Sequence, residues 1–263
     1  DGAAAIARFR EATDRHRAAG NTWGEYGARM RLAYNLAMAG EYEEAVTHYE
    51  ACRAHYEEIH SLYGLSWTLG GLALASHRLG DFPAAERQYR AALDVKRRLG
   101  DRAGAAWALN SLGMVYDLQG RYAEALSVEH EAMRLYEEIG DAGGVGAVHF
   151  SMGSVRFYLG DYNEALDHYE RARVAALETG DGDLLRRVMS GLGSVYSAAG
   201  RSDLAGPMYE RHLDTVRETD DRVGLLFALV NLASHLVETG RTGEARTLLD
   251  EAASLLPERG NTY

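Results

Sequence analysis

Three histidines, His48, His55 and His60, lie close together in the first quarter of the chain. Imidazole is a common zinc ligand, but a stable zinc site needs further ligands at suitable spacings. No such set accompanies these residues, and no H-E-x-x-H pattern occurs in the sequence. We therefore interpret the three as solvated surface histidines, and the sequence predicts neither a metal nor any other cofactor.

Carboxylates recur at a fixed interval, each just before a helical stretch: Asp101, Asp141, Asp181 and Asp221. A carboxylate at that position usually accepts backbone N–H bonds from the first helical turn. These residues are therefore predicted to cap helices rather than to transfer protons. The pairs Asp167-His168 and Glu129-His130 are sequence neighbours, so within each pair the two side chains point to different parts of a helix surface.

The sequence lacks the usual motifs for phosphate binding and nucleophilic catalysis. It contains no G-x-x-x-x-G-K-[ST] and no G-x-S-x-G. The glycine cluster at 143–146 lies at a helix start, where it favours close helix packing. Cys52, the one cysteine, cannot form an internal disulfide and is interpreted as a core residue. The sequence therefore predicts a protein that is not an enzyme.

These residues are carried by elements that repeat every forty positions. Glycine recurs at that interval, at Gly40, Gly80, Gly120, Gly160, Gly200 and Gly240. Further glycines mark the halfway points, Gly20, Gly100, Gly140, Gly180 and Gly260, with His60 and Asp220 as exceptions. Apolar residues between these hinges recur at helical spacing, and no segment alternates cleanly as a strand would. The pattern predicts an all-α array of thirteen stacked helices without a strand.

Small residues recur in register and indicate where the helices meet. One column is alanine in every full copy: Ala45, Ala85, Ala125, Ala165, Ala205 and Ala245. A second column holds Ala33, Ala73, Gly113, Gly153, Gly193 and Ala233. Small side chains allow helix axes to approach closely. Large residues beside them, at Tyr49, Tyr89, Tyr169 and Tyr209, are expected to fill the remaining space.

The columns resemble the tetratricopeptide repeat, whose pattern includes W-x2-L-G-x2-Y and A-x3-F. Leu112-Gly113 with Tyr116 matches the first part, and Ala85 with Tyr89 matches the second. The period of forty exceeds the family's usual length of about 34 residues. The resemblance covers essentially the whole chain and implies a right-handed α-solenoid. Each repeat then consists of a first helix, A, and a second helix, B.

In the family, A helices line a concave groove that binds protein or peptide segments. Carried onto this sequence, the family's groove columns, together with neighbouring residues, give a predicted site: Met30, Tyr34, Trp67, Leu74, Trp107, Asn110, Met114, Phe150, Arg186, Arg187, Phe227 and Asn231. Trp67, Trp107, Asn110, Met114 and Phe150 are expected to form one contiguous patch. We expect a ligand with apolar anchors at one end and acid at the other, the acid held by the two arginines. In the alternative interpretation, the two tryptophans only pad neighbouring helices.

The chain is interpreted as a single solenoid, 1–263, cut from a longer protein. Residues 1–20 are predicted to be a B-type helix without a preceding A helix. The full repeats are 21–60, 61–100, 101–140, 141–180, 181–220 and 221–260. The missing A helix would expose Ile6 and Phe9, from which we predict possible self-association. Pro207 predicts a kink or a late start in the B helix of the fifth copy.

Composition excludes several classes of function. The net charge of −11 argues against nonspecific nucleic-acid binding. No apolar run reaches the length of about 18 residues that a membrane helix needs, and there is no secretory signal pattern. A single cysteine suits a reducing cytosol, so the expected location is the cytoplasm.

The sequence thus predicts a binding module without catalytic activity. Its long period resembles the C-terminal sensor arrays of actinobacterial regulators, of the Streptomyces antibiotic regulatory protein and signal-transducing ATPase types. That resemblance implies the regulatory part of a bacterial transcriptional or signalling regulator. Two alternatives stay open: a receptor for a small-molecule or peptide signal, and a passive scaffold within a larger host protein.

Overall fold

The computed structural model describes residues 2–218 and 222–256, and this part of the chain contains helices and no strand. Thirteen α-helices are present there: α1 (Gly2–Ala18), α2 (Thr22–Met38), α3 (Tyr42–Glu58), α4 (Leu62–Arg78), α5 (Phe82–Leu99), α6 (Arg102–Leu118), α7 (Tyr122–Ile139), α8 (Ala142–Leu159), α9 (Tyr162–Thr179), α10 (Gly182–Ala198), α11 (Ser202–Arg217), α12 (Arg222–Glu238) and α13 (Thr242–Leu255). The all-α prediction is confirmed. Even-numbered helices are A helices and odd-numbered helices are B helices.

The helices end at the predicted hinges. Ten hinge glycines have positive φ, a conformation that glycine adopts without steric cost. At the exceptional hinge, His60 adopts a φ of 54°. Asp101 accepts a hydrogen bond from the Gly104 N–H, and Asp141 and Asp181 cap their helices in the same way. The cap at Asp221, the exception at Asp220 and the hinge at Gly260 lie outside the described residues.

The small-residue columns are buried as predicted. The alanine column is at most 1% exposed in all six copies. In the second column, a Cβ added to Gly153 would lie 2.8 Å from the Tyr169 ring, and one added to Gly193 would lie 2.6 Å from the Tyr209 ring. In the third full copy, the tyrosine position holds Glu129, which is fully buried against Gly113. Small and large residues therefore pack against each other within each hairpin.

The chain forms two compact units, Asp1–Gly140 and Asp141–Tyr263, here called the N-terminal and C-terminal units. Within each unit, consecutive helices pack against each other and neighbouring A helices also touch. In the N-terminal unit, ion pairs join successive B helices, as between Arg10 and Glu44 and between Arg97 and Glu131. Each unit therefore has a layer of A helices and a layer of B helices.

The structure corrects the prediction about α1 and narrows the one about α11. Ile6 is buried and Phe9 half-buried, because α1 packs against α2 and both side chains belong to or border a core cluster that includes Leu32 and Leu36. The exposure that motivated self-association is therefore absent. Of the kink or late start predicted from Pro207, the late start is excluded, because α11 begins at Ser202 and keeps the proline inside the helix.

Candidate functional site

The A helices of the N-terminal unit carry a row of exposed apolar side chains. Successive members on one helix are separated by about one or about three helical turns along α2, α4 and α6. They are Trp23, Tyr34, Met38, Tyr63, Trp67, Trp107 and Leu118. We call this set the aromatic A-helix surface. Exposed apolar side chains that cluster in this way usually mark an interaction site.

Contacts between neighbouring A helices bring these rows side by side. Between α2 and α4, the Thr68 hydroxyl oxygen lies 3.7 Å from the Met30 sulfur. Between α4 and α6, a Cβ added to Gly70 would lie 3.3 Å from the Trp107 ring. Glycine thus leaves room for the indole to lie against α4. The three helices together present one surface rather than three separate rows.

The two predicted tryptophans of this surface differ in their packing. Trp67 is 62% exposed, whereas Trp107 is 37% exposed. The Trp107 ring makes an edge contact with Tyr89 at 5.7 Å and lies 6.0 Å from the Lys96 ammonium. Trp107 therefore combines packing with partial exposure, so the padding interpretation applies in part to Trp107. Trp67 is mainly a surface residue.

The other predicted residues of the N-terminal unit differ in their exposure to solvent. Tyr34 is exposed, while Met30, Leu74 and Met114 are half-buried in the same A-helix layer. Asn110 is only 8% exposed. Its amide lies beneath the surface, so it is not placed to fix the register of a ligand.

In the C-terminal unit, Phe150 on α8 and Arg187 on α10 lie together. The Arg187 guanidinium stacks on the Phe150 ring at 4.2 Å, and the other contacts of that ring include Tyr169. Arg186 pairs with Asp183 on its own helix. The two arginines thus make different contacts, one with an aromatic ring and one with a carboxylate.

The remaining predicted residues lie on α12 of the same unit. Asn231 donates a hydrogen bond to the Ser190 hydroxyl on α10 at 2.9 Å, and Phe227 is exposed. Serine hydroxyls also form hydrogen bonds with the hydroxyls of buried tyrosines, Ser154 with Tyr169 and Ser194 with Tyr209. This A-helix layer is therefore more polar than that of the N-terminal unit.

Comparison with protein families identifies the repeat. A tetratricopeptide repeat model matches residues 26–98, 64–138, 144–218 and 186–258. The chain belongs to the tetratricopeptide repeat (TPR) family. A comparison of the sequence with curated proteins finds no match.

Solved TPR structures share this fold at low sequence identity. Apo RapI superposes with a TM-score of 0.80 at 13% identity, over 97% of this chain and 91% of RapI. NprR in complex with its cognate peptide NprX gives 0.69 at 16% identity, over 95% and 74%. A signal-transduction ATPase with numerous domains and a TPR sensor, from Pyrococcus horikoshii, gives 0.67 at 16% identity, over 87% of this chain and 36% of that one.

The sequence analysis missed the ends of the aromatic A-helix surface of the TPR array. Trp23 and Tyr63, 89% and 71% exposed, lie four residues before the column of Trp67, and Met38 lies four residues after Tyr34. The predicted columns covered only the middle of each A helix. A spacing of four residues in either direction along the same helical face would have found them.

The histidines singled out for metal binding do not converge. His55 stacks on the Tyr26 ring at 3.8 Å, and half-buried His48 lies 3.5 Å from Glu44. Neither is therefore the solvated surface histidine that was predicted, although exposed His60 is. Among residues 2–218 and 222–256, no group of three or more potential ligands is arranged to hold a metal ion.

The remaining sequence-based expectations concern Cys52 and the membrane. Cys52 is buried as predicted, and burial raises the pKa of its thiol to about 12. Within the described residues, no helix is both long and apolar enough to cross a bilayer.

A histidine pair that the sequence analysis missed joins α8 to α9. His149 Nδ1 and His168 Nδ1 are 3.0 Å apart and both residues are half-buried. One ring must donate and the other accept, so the contact fails when both carry a proton. In the preceding copy, the same two positions hold Leu109 and Val128. The replacement of two apolar residues by histidines at these repeat positions was a signal visible in the sequence.

This pair predicts that acid destabilises the TPR array. Burial and then the neighbouring His168 lower the pKa of His149 to about 4, and burial also lowers the pKa of His168. The unfolded chain, with histidine pKa values of about 6.5, then binds more protons. The free energy of unfolding should fall as pH decreases from about 6.5 towards 4. Urea titrations at several pH values would measure this slope.

The matched variant carries His149→Leu and His168→Val, the residues of the preceding copy. It should show a shallower loss of stability between these pH values. His130→Gln, at an exposed position, serves as the control and should leave the slope unchanged. Equal slopes in the double variant and the unaltered chain would contradict the assignment.

Proposed function

We propose that this TPR array binds a protein or peptide segment on the aromatic A-helix surface and has no catalytic role. The observation that carries the proposal is the exposure of Trp67, Tyr63 and Tyr34 on the neighbouring A helices α2 and α4. Aromatic side chains are enriched among the residues that contribute most to binding. A bound segment would remove the apolar area of these aromatic side chains from water, which favours binding.

The ligand class is supported by NprR, whose solved structure contains its cognate peptide. The identity of 16% shows a shared fold only, so the peptide class comes to this chain as part of the proposal. The aromatic A-helix surface adds support because side chains from three neighbouring helices meet there. An extended segment or a short helix can lie across such a surface.

We further propose that the array is the sensor of a bacterial signalling or transcriptional regulator in the cytoplasm. The signal-transduction ATPase supports this role, because its TPR sensor belongs to a much longer chain and this array matches 36% of it. Binding of a segment to the A helices would then be reported to other parts of such a protein.

Trp67→Ala tests the proposal. Peptides selected from a displayed random library on the unaltered chain should lose at least about tenfold in affinity for the variant, a loss of about 1.4 kcal/mol. Its thermal unfolding should change little, because Trp67 is mostly exposed. Trp107→Ala is less suitable, since it also removes the contact with Tyr89.

Leu99→Ala provides the control, because Leu99 is an exposed apolar residue on a B helix of the same unit. It should leave peptide affinity unchanged. Peptides that bind both variants equally well would sink the proposal. That result would favour a receptor for a small molecule, or a scaffold whose surface is covered by its own host protein.

A further inference from the structure

Charge differs between the A helices and the rest of the chain. The six A helices contain eight arginines and four carboxylates, a net charge of +4. The rest of the chain contains 20 basic and 35 acidic residues, a net charge of −15. The overall value of −11 therefore conceals a basic A-helix layer and a strongly acidic remainder.

The same difference holds within the N-terminal unit alone. Its A helices carry four arginines against two carboxylates, +2, while the rest of the unit carries 12 basic and 18 acidic residues, −6. The aromatic A-helix surface thus lies on the basic layer of a unit that is acidic elsewhere.

Two arginines of this layer are available to a ligand. Arg31 on α2 and Arg78 on α4 are exposed, and neither forms an ion pair within the described part of the chain. The other two A-helix arginines of the unit are paired, Arg29 with Glu25 at 3.1 Å and Arg102 with Glu138 at 3.6 Å.

The two arginines lie on A helices that carry the aromatic A-helix surface. Arg31 lies one turn before Tyr34 on the same helical face. Arg78 lies one turn after Leu74, in the last turn of α4. A positive charge at the C-terminal end of a helix interacts favourably with the helix dipole, so Arg78 also has a structural role. Arg31, in the interior of α2, has no such role.

We infer that the segment bound by the aromatic A-helix surface is acidic. Its apolar side chains would lie against the exposed rings around Trp67, and its carboxylates would meet Arg31 and Arg78. This inference rests on the proposed function and adds the charge of the partner. The guanidinium group suits it, because its planar donors match a carboxylate in a bidentate arrangement.

The acidic remainder of the unit restricts where such a segment can bind. The rest of the unit, with a net charge of −6, disfavours an acidic peptide on average, whereas the A helices, at +2, attract it. A basic peptide would instead be attracted to the acidic B helices α3 and α7, away from the aromatic side chains. The charge pattern therefore favours an acidic segment on the A helices and disfavours it elsewhere on the unit.

A displayed library of random twelve-residue peptides, selected on the unaltered chain, tests the inference. Peptides that require Trp67 should be enriched in aspartate and glutamate together with apolar residues. The double variant Arg31→Glu and Arg78→Glu should bind synthetic copies at least about tenfold more weakly. Their affinity for the unaltered chain should also fall as salt is raised, because exposed charges are screened.

The control is Arg87→Glu, with Arg87 exposed on the B helix α5. It changes a charge at another exposed arginine of the same unit and should leave affinity within about twofold. Circular dichroism would check that each variant folds.

The outcomes separate this inference from the proposed function. Trp67-dependent peptides that are neutral or basic, or that bind the double variant unchanged, would overturn the acidic partner and leave the binding surface in place. Selection that yields only peptides indifferent to Trp67 would overturn both.

Discussion

Replacing Tyr169 by alanine should lower the free energy of unfolding by about 3–5 kcal/mol. Tyr169 is 3% exposed in the core of the C-terminal unit. Its ring lies so close to Gly153 and Gly191 that a Cβ on either glycine would come within 2.8 Å of it. Phe150 packs on the same ring at 5.6 Å, so truncation leaves a cavity that the helix backbones cannot easily close.

Urea unfolding would measure this loss. Tyr158→Ala is the matched control, because it removes the same side chain from an exposed position on α8 in the same unit. Its effect should stay within about 0.5 kcal/mol. Similar losses in the two variants would mean that Tyr169 is not a packing centre.

The sequence predicted the helices well because their ends are determined locally. A glycine that can adopt positive φ and an aspartate that caps the next helix act within a few residues, and both recur with the period. Gly100 shows the agreement, since it ends α5 with a φ of 71° and is followed by the cap at Asp101. Residues 257–260, which include the proline near the end of the last copy, and the tail 261–263 lie outside the described residues.

The site was predicted less well, because exposure depends on contacts between repeats. Trp67 and Trp107 occupy the same column but meet different neighbours. Trp107 lies over Gly70 on the preceding A helix, where no side chain competes for the space. At the equivalent position before Trp67 stands Met30, whose larger side chain leaves less room for the indole. A column pattern shows which face a residue lies on, but not whether the next repeat covers it.

Ile6 also shows that the repeat pattern does not reveal which side chains a neighbouring helix covers. It was predicted to be exposed because no A helix precedes α1, yet α2, the A helix that follows, buries it in the core of the N-terminal unit. A helix within a stack has two neighbours, and either one can cover an apolar side chain. Burial at a repeat boundary therefore depends on shape complementarity with both neighbours, which periodicity does not reveal.

In the N-terminal unit, Ala125→Leu should lower the free energy of unfolding by about 1–3 kcal/mol. Ala125 lies on α7, is completely buried, and occupies the column that is alanine in every full copy. The larger side chain cannot be accommodated unless α7 moves away from the helix it faces. Because neighbouring hairpins share their packing surfaces, such a shift would also loosen the adjacent contacts.

Ala123→Leu on the same helix is the control, because Ala123 is exposed. Leucine and alanine differ little in helix propensity, so the control should change stability by no more than about 0.5 kcal/mol. Urea melts of both variants would compare the two positions directly. An unchanged midpoint for Ala125→Leu would mean that the alanine column does not hold the helices at close approach, and the packing derived from the small residues would then be incorrect.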